Sequence, residues 1–204
     1  VANYVVSLAD STKEVRAENT VVKASRIEGE LPSEPGDPKW MEAEPSTFLL
    51  VPQIIGQERF FTPSNNSITS RAYYNDKDIS ILIEWDDRTA SAPGDPKAAE
   101  IAEGEVSADA VAVQFPVTIP LEMEKPYFGH GDAAWPINIW YWNTGEAGAS
   151  QVTKLLNATG FAKKDERDAA KAGLVTKGVY DKGTWRVVMK RPLVTGEKDK
   201  DIQF

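Results

Sequence analysis

The chain has 204 residues, a formal net charge of −8, and 41% hydrophobic against 26% charged residues, the balance of a globular chain long enough to bury a core. The acid excess argues against nucleic acid or an anionic membrane surface as partner, and no apolar run reaches the length of a membrane-spanning helix. Cysteine is absent, which excludes disulfides, thiolate zinc, iron–sulfur clusters and covalent c-type haem attachment.

The chain starts at Val1 rather than Met, as a processed or trimmed chain would, a removed signal peptide being one explanation. Short β-rich runs then dominate: STFLLVP (46–52), SITSRAYYN (67–75), DISILIEW (78–85), ADAVAVQFP (108–116), PINIWYW (136–142) and TWRVVMKRPL (184–193). Each mixes β-branched and aromatic residues, and Ile79, Ile81, Ile83 and Trp85 alternate so as to share one face. Proline and glycine punctuate them; PGDPK occurs twice, at 35–39 and 93–97, which we read as recurrent turn chemistry rather than a duplicated domain. Two helical segments are predicted, 148–160 ended by Gly160 and the polar 163–173. Many short strands with minor helix predict an all-β chain, a β-sandwich, with residues 1–204 as a single domain. Its predicted core includes Leu49, Val51, Ile81, Ile83, Val111, Val113, Ile137, Ile139 and Val187.

No P-loop, dinucleotide fingerprint or nucleophile elbow is present. Asn75, Asp76 and Asp78 stand close together, but without the glycine of a calcium loop they read as a turn. The chain's one histidine, His130, lies between Gly129 and Gly131, ahead of an aromatic strand. It reads either as a loop residue in a glycine turn or as an iron ligand. Glycines permit the close backbone approach that a haem plane needs, aromatic side chains supply an apolar cleft, and imidazole is a common axial ligand.

An ordered set of motifs narrows this choice: DPKW (37–40), VPQ (51–53), RAYYNDKDISILIEWDDRT (71–89), DAVAVQFP (109–116), PYFGHGDAAWPINIWYW (126–142) and WRVVMKRPL (185–193). Together they resemble the haem b-binding γ subunits of the ethylbenzene dehydrogenase, dimethylsulfide dehydrogenase, selenate reductase and chlorate reductase group. The resemblance implies a β-sandwich related to carbohydrate-binding modules, with haem b in a pocket at one side. It implies a non-catalytic, periplasmic electron-transfer subunit, partnered by a molybdenum-containing catalytic subunit, an iron–sulfur subunit and a soluble cytochrome or similar carrier.

In that group a methionine of an F-x-M-G motif and a lysine near the C-terminus bind the iron. Here the motif reads FGHG (128–131), so His130 stands in the methionine's place; Phe128 and Gly131 flank it. Asn75, Gln114, Phe115 and Asn138 fall in the matching motifs and are candidates for the haem lining. The second axial ligand is expected beyond Phe204, on strands that follow in the family, with Lys190, Met189 and Met123 as the in-chain substitutes. A second reading is a carbohydrate-binding module that stacks sugar on Trp135, Trp140 and Trp142.

Overall fold

A computed structural model describes residues 21–52, 61, 65–101, 106–121 and 124–204. Among the described residues ten strands form two sheets. The first contains β1 (Ala24–Arg26), β2 (Ser46–Leu49), β3 (Ser67–Tyr74), β4 (Asp78–Asp86), β9 (Val175–Asp181) and β10 (Thr184–Pro192), in the order β1-β3-β4-β10-β9, with β2 also paired to β3. The second is an antiparallel meander of β5 (Ala110–Pro116), β6 (Ile137–Asn143), β7 (Val152–Ala158) and β8 (Lys164–Arg167).

Period-two alternation decides which side chains meet between the sheets. Ile79, Ile81, Ile83 and Trp85 of β4, with Trp185, Val187 and Met189 of β10, face Val111, Trp140, Trp142 and Leu155 of the second sheet in one core. The outer face of the first sheet is capped separately. Tyr73, Leu82 and Val188 pack under Leu31, Trp40 and Ala43, and the Trp40 indole donates to the Glu34 carbonyl at 3.0 Å. A third cluster, Ile137, Ile139 and Ala158, lies on the outer face of the second sheet.

The two PGDPK copies do the same job. Asp37 accepts a hydrogen bond from the Lys39 amide and caps a 3-10 turn over Pro38–Glu42. Asp95 accepts from the Lys97 amide ahead of α1 (Pro96–Ile101). In both, proline at the first helical position and a capping carboxylate start a short helix.

Three expectations need correction. Segments 148–160 and 163–173 hold no helix: they contain β7 and β8. Leu155 points into the core while Ala158 packs on the outer face, and ladder pairing with β6 outweighs the local helical preference. The charged β8 is an edge strand, and Lys154 of β7 reaches Glu166 of β8 at 2.8 Å. Residues 168–173 then turn, with Asp168 accepting from the Lys171 amide. Of the predicted core, Leu49 is 80% exposed and Val51 42% exposed, because Leu49 ends edge strand β2 and Val51 lies two residues past it. The remaining seven are buried or packed against a core. Strand β9 lies outside the β-rich runs expected from the sequence. It is joined to β10 by Lys182-Gly183, with φ of 49° and 84°, the two positive values of a type I′ hairpin.

Candidate functional site

Between β5 and β6 the chain runs over the outer face of the second sheet and carries His130. The ladder continues into this loop, the Val117 amide donating to the Pro136 carbonyl at 3.0 Å. The Gly131 amide then donates to the Tyr127 carbonyl at 2.7 Å, closing a tight turn. Asp132 fixes the exit: its carboxylate accepts from the Ala134 and Trp135 amides at 2.8 and 2.9 Å, and these bonds hold its pKa below the usual carboxylate range.

Both glycines around His130 are required by space. A Cβ on Gly129 would stand 2.6 Å from the rings of Phe161 and Tyr127. On Gly131, whose φ is +70°, it would stand 2.8 Å from the Trp135 carbonyl and 3.0 Å from Ile137. His130 itself has φ +69°, a left-handed conformation that costs a side-chain-bearing residue about 1 kcal/mol or more. Strain at a histidine held between two crowded glycines marks the position as one the surrounding structure imposes.

The imidazole stacks on Phe161, ring centroids 4.7 Å apart, and its Nδ1 is buried with no hydrogen-bond partner among the described residues. Burial, followed by the nearby Lys164 charge, lowers its pKa. Both favour the neutral ring, the form that offers a lone pair to a metal. The loop is pinned to the neighbouring hairpin through the Gly160 amide, which donates to the His130 carbonyl at 2.8 Å. Around the histidine three large rings remain open to solvent: Tyr127 is 46%, Phe128 39% and Phe161 46% exposed. The same loop borders a cleft of about 330 Å³ lined by Thr118, Ile119, Pro120, Leu121, Glu124 and Trp135.

The seven candidate residues do not form one cluster. Gln114 joins the histidine loop, its side-chain amide donating to the Phe128 carbonyl at 3.3 Å, so Gln114, Phe128, His130 and Gly131 belong together. Phe115 instead faces inward and packs on Trp140 at 4.9 Å and Phe204 at 5.4 Å. Asn138 is fully buried, taking the Trp140 indole N–H at 3.1 Å and an Arg191 N–H at 3.3 Å on its Oδ1. Asn75 holds the β3–β4 turn, accepting from the Lys77 and Asp78 amides at 2.8 Å.

Among the in-chain substitutes, Met189 is buried in the core, Lys190 is half-buried with its ammonium 3.8 Å from Asp78, and Met123 lies outside the described residues. Trp140 and Trp142 are fully buried, so they offer no face for a sugar. Their rings are core. Phe161 and Lys164, which the structure adds to the site, carried no motif of their own; a lone aromatic after Asn-Ala-Thr-Gly was their only trace.

The chain is 24% identical over 178 residues to a protein of Haloferax mediterranei described as "Putative respiratory nitrate reductase heme subunit ORF7"; the match spans 87% of this chain and 58% of that protein. Among solved structures it is similar to a family 9 carbohydrate-binding module from Caldicellulosiruptor kristjanssonii in complex with glucose, at 14% identity and a TM-score of 0.43, over 83% of this chain and 66% of that one. A chain from Bacteroides uniformis aligns at 9% identity and a TM-score of 0.44, over 86% of this chain and 72% of that one. The family model described as ethylbenzene dehydrogenase matches residues 37–177, from the Asp37 cap through every strand of the meander and the histidine loop, and the chain therefore belongs to that family.

Proposed function

We propose that the chain is a haem b electron-transfer subunit of a respiratory oxidoreductase complex, with His130 as one axial ligand of the iron. The observation that carries this reading is the histidine itself: strained, set between glycines that admit no Cβ, its buried Nδ1 unpartnered, and rimmed by exposed aromatic rings. These features fit a flat apolar cofactor approached by a lone pair. Haem, once bound, supplies a one-electron iron couple. The chain's own residues would bind and orient it: Gly129 and Gly131 let the turn that carries His130 pack against Phe161, Tyr127 and Ile137, Phe128 and Phe161 cover apolar surface, and Gln114 braces the loop from β5.

The family and the haem subunit named in Haloferax mediterranei support the same reading. The expected partners are a molybdenum-containing subunit, an iron–sulfur subunit and a soluble carrier, in the periplasm. The protein performs no bond chemistry in this scheme. Its acidic charge suits electrostatic steering toward a basic carrier.

Titration of apoprotein with haemin, followed by absorption spectroscopy, tests the reading. His130→Gly, which suits the φ of +69°, should weaken uptake and remove the histidine-ligated spectrum, with circular dichroism unchanged. His130→Met should restore an axial bond and raise the potential. An unchanged Soret band in His130→Gly would sink the assignment.

A further inference from the structure

We propose that Lys164 is the cation that pairs with the carboxylates of the bound porphyrin and so fixes its rotation beside His130; this rests on the haem reading above. Register supplies the geometry. Lys164 is the cross-strand partner of Ala158, and paired residues share one face of a sheet. Ala158 belongs to the outer cluster with Ile137 and Ile139. Gly131 sits against that cluster: a Cβ there would approach the Ile137 side chain at 3.0 Å and the Ala158 carbonyl at 3.3 Å. Lys164 and the histidine loop therefore rise from the same patch of the second sheet. The lysine is near enough for its charge to act on the imidazole.

The intervening turn strengthens this placement. The Thr159 amide donates to the Lys163 carbonyl at 3.1 Å and the Lys163 amide to the Gly160 carbonyl at 3.2 Å. This tight turn lifts Phe161 against the imidazole and starts β8 directly at Lys164. Iron ligand, ring-covering aromatic and cation thus come from one hairpin tip and the loop hydrogen-bonded to it.

The other cation on this face of the hairpin, Lys154, is committed to Glu166 at 2.8 Å, whereas Lys164 has no carboxylate within salt-bridge distance among the described residues. A porphyrin with its iron at His130 has an apolar body, suited to Phe128 and Phe161, and two propionates that need positive charge at the rim. In a chain carrying 31 acidic against 23 basic side chains, a cation without a carboxylate beside an apolar site is well placed to select an anionic group.

The experiment compares protohaem with its dimethyl ester, which lacks free carboxylates, by Soret titration of apoprotein. Wild type should bind protohaem about three- to fivefold more tightly than the ester, the range for a largely solvated ion pair. Lys164→Gln should abolish that difference, and Lys164→Glu should reverse it. Lys182→Gln, in the β9–β10 turn, should leave it intact. Equal affinity of wild type for both haems, or an unchanged preference in Lys164→Gln, would overturn the assignment of Lys164 while leaving haem binding in place. Loss of the low-spin spectrum in Lys164→Gln would make the lysine an iron ligand and also overturn it. Failure of wild type to take up either haem would remove the haem reading itself.

Discussion

Replacing Asp201 with alanine tests whether an ionic clasp holds the two sheets together. Asp201 is fully buried. Its carboxylate accepts from both terminal nitrogens of Arg167, from Thr195 Oγ1 at 2.8 Å and from Asn138 Nδ2 at 3.4 Å, and stands 4.0 Å from the Arg191 guanidinium. Arg191 is itself fully buried, over Trp140 at 4.9 Å, and burial pushes its pKa down to about 10 despite the nearby carboxylate. Removing one partner of a buried pair costs about 3–5 kcal/mol, because the other charge is left unanswered. Arg167 keeps Glu197, which places the expected loss near the lower end, at about 3 kcal/mol. For a chain of this size that is a fall of about 10 °C in Tm. Urea unfolding followed by tryptophan fluorescence measures it, Trp140 lying against the clasp. The double variant Arg191→Met, Asp201→Ala should recover part of the loss. A loss below about 1 kcal/mol, or a double variant less stable than the single, would refute the reasoning.

The Asp109 carboxyl is pushed up to about 6 by burial, which outweighs hydrogen bonds from the Ser91 amide and the Trp185 indole. Its folded pKa thus exceeds the unfolded value of about 3.9, so its stabilising contribution is full below about pH 4 and is lost as pH rises through about 6. Discounted for its partial exposure to water, the loss is about 1–1.5 kcal/mol; Asp109→Asn should flatten the stability profile over that window, and an unchanged slope would count against it. At Gly178 an added Cβ would stand 2.1 Å from the Trp142 ring, so Gly178→Ala should cost about 2–3 kcal/mol by overpacking and alter the near-ultraviolet circular dichroism. A silent substitution there would mean that β9 does not lie over Trp142.

The sandwich was legible where alternation was strong. Ile79, Ile81, Ile83 and Trp85 announced one face of β4, and all four lie in the core. The Thr-Trp-Arg-Val-Val-Met run announced β10, although not its place between β4 and β9. Segment 148–160 suggests a helix because Leu155, Leu156 and Ala158 fit helical spacing as well as two faces of a strand, and 163–173 because it is polar and alanine-containing. Only pairing with β6 separates the two. Strand β9 was missed because Gly178 interrupts it, and that glycine exists to admit a tryptophan from the other sheet. The histidine turn was visible as Gly-His-Gly, but Phe161 and Lys164 were not, since the hairpin that brings them to the loop is a tertiary event. Asn138 drew notice through its motif, while its buried position between Arg191 and Trp140 depends on a segment more than fifty residues later.

The clasp also bears on the order of assembly. The second sheet is a meander of consecutive strands from residue 110 to 167, each hairpin able to close as soon as it is synthesised. The first sheet is only partly local. Its β3–β4 and β9–β10 hairpins are short-range, but β4 waits for β10 on its other edge, across the whole meander; the Arg186–Glu84 contact spans 102 residues. Strand β10 then delivers a guanidinium into an apolar interior, and its carboxylate follows ten residues later at Asp201. At synthesis rates of about 5–20 residues per second, the nascent chain passes through a stage with its meander formed and β10 emerged but Asp201 still in the ribosome. The two sheets therefore cannot dock with the guanidiniums of Arg167 and Arg191 both answered by Asp201 until the residues after β10 have followed it into place.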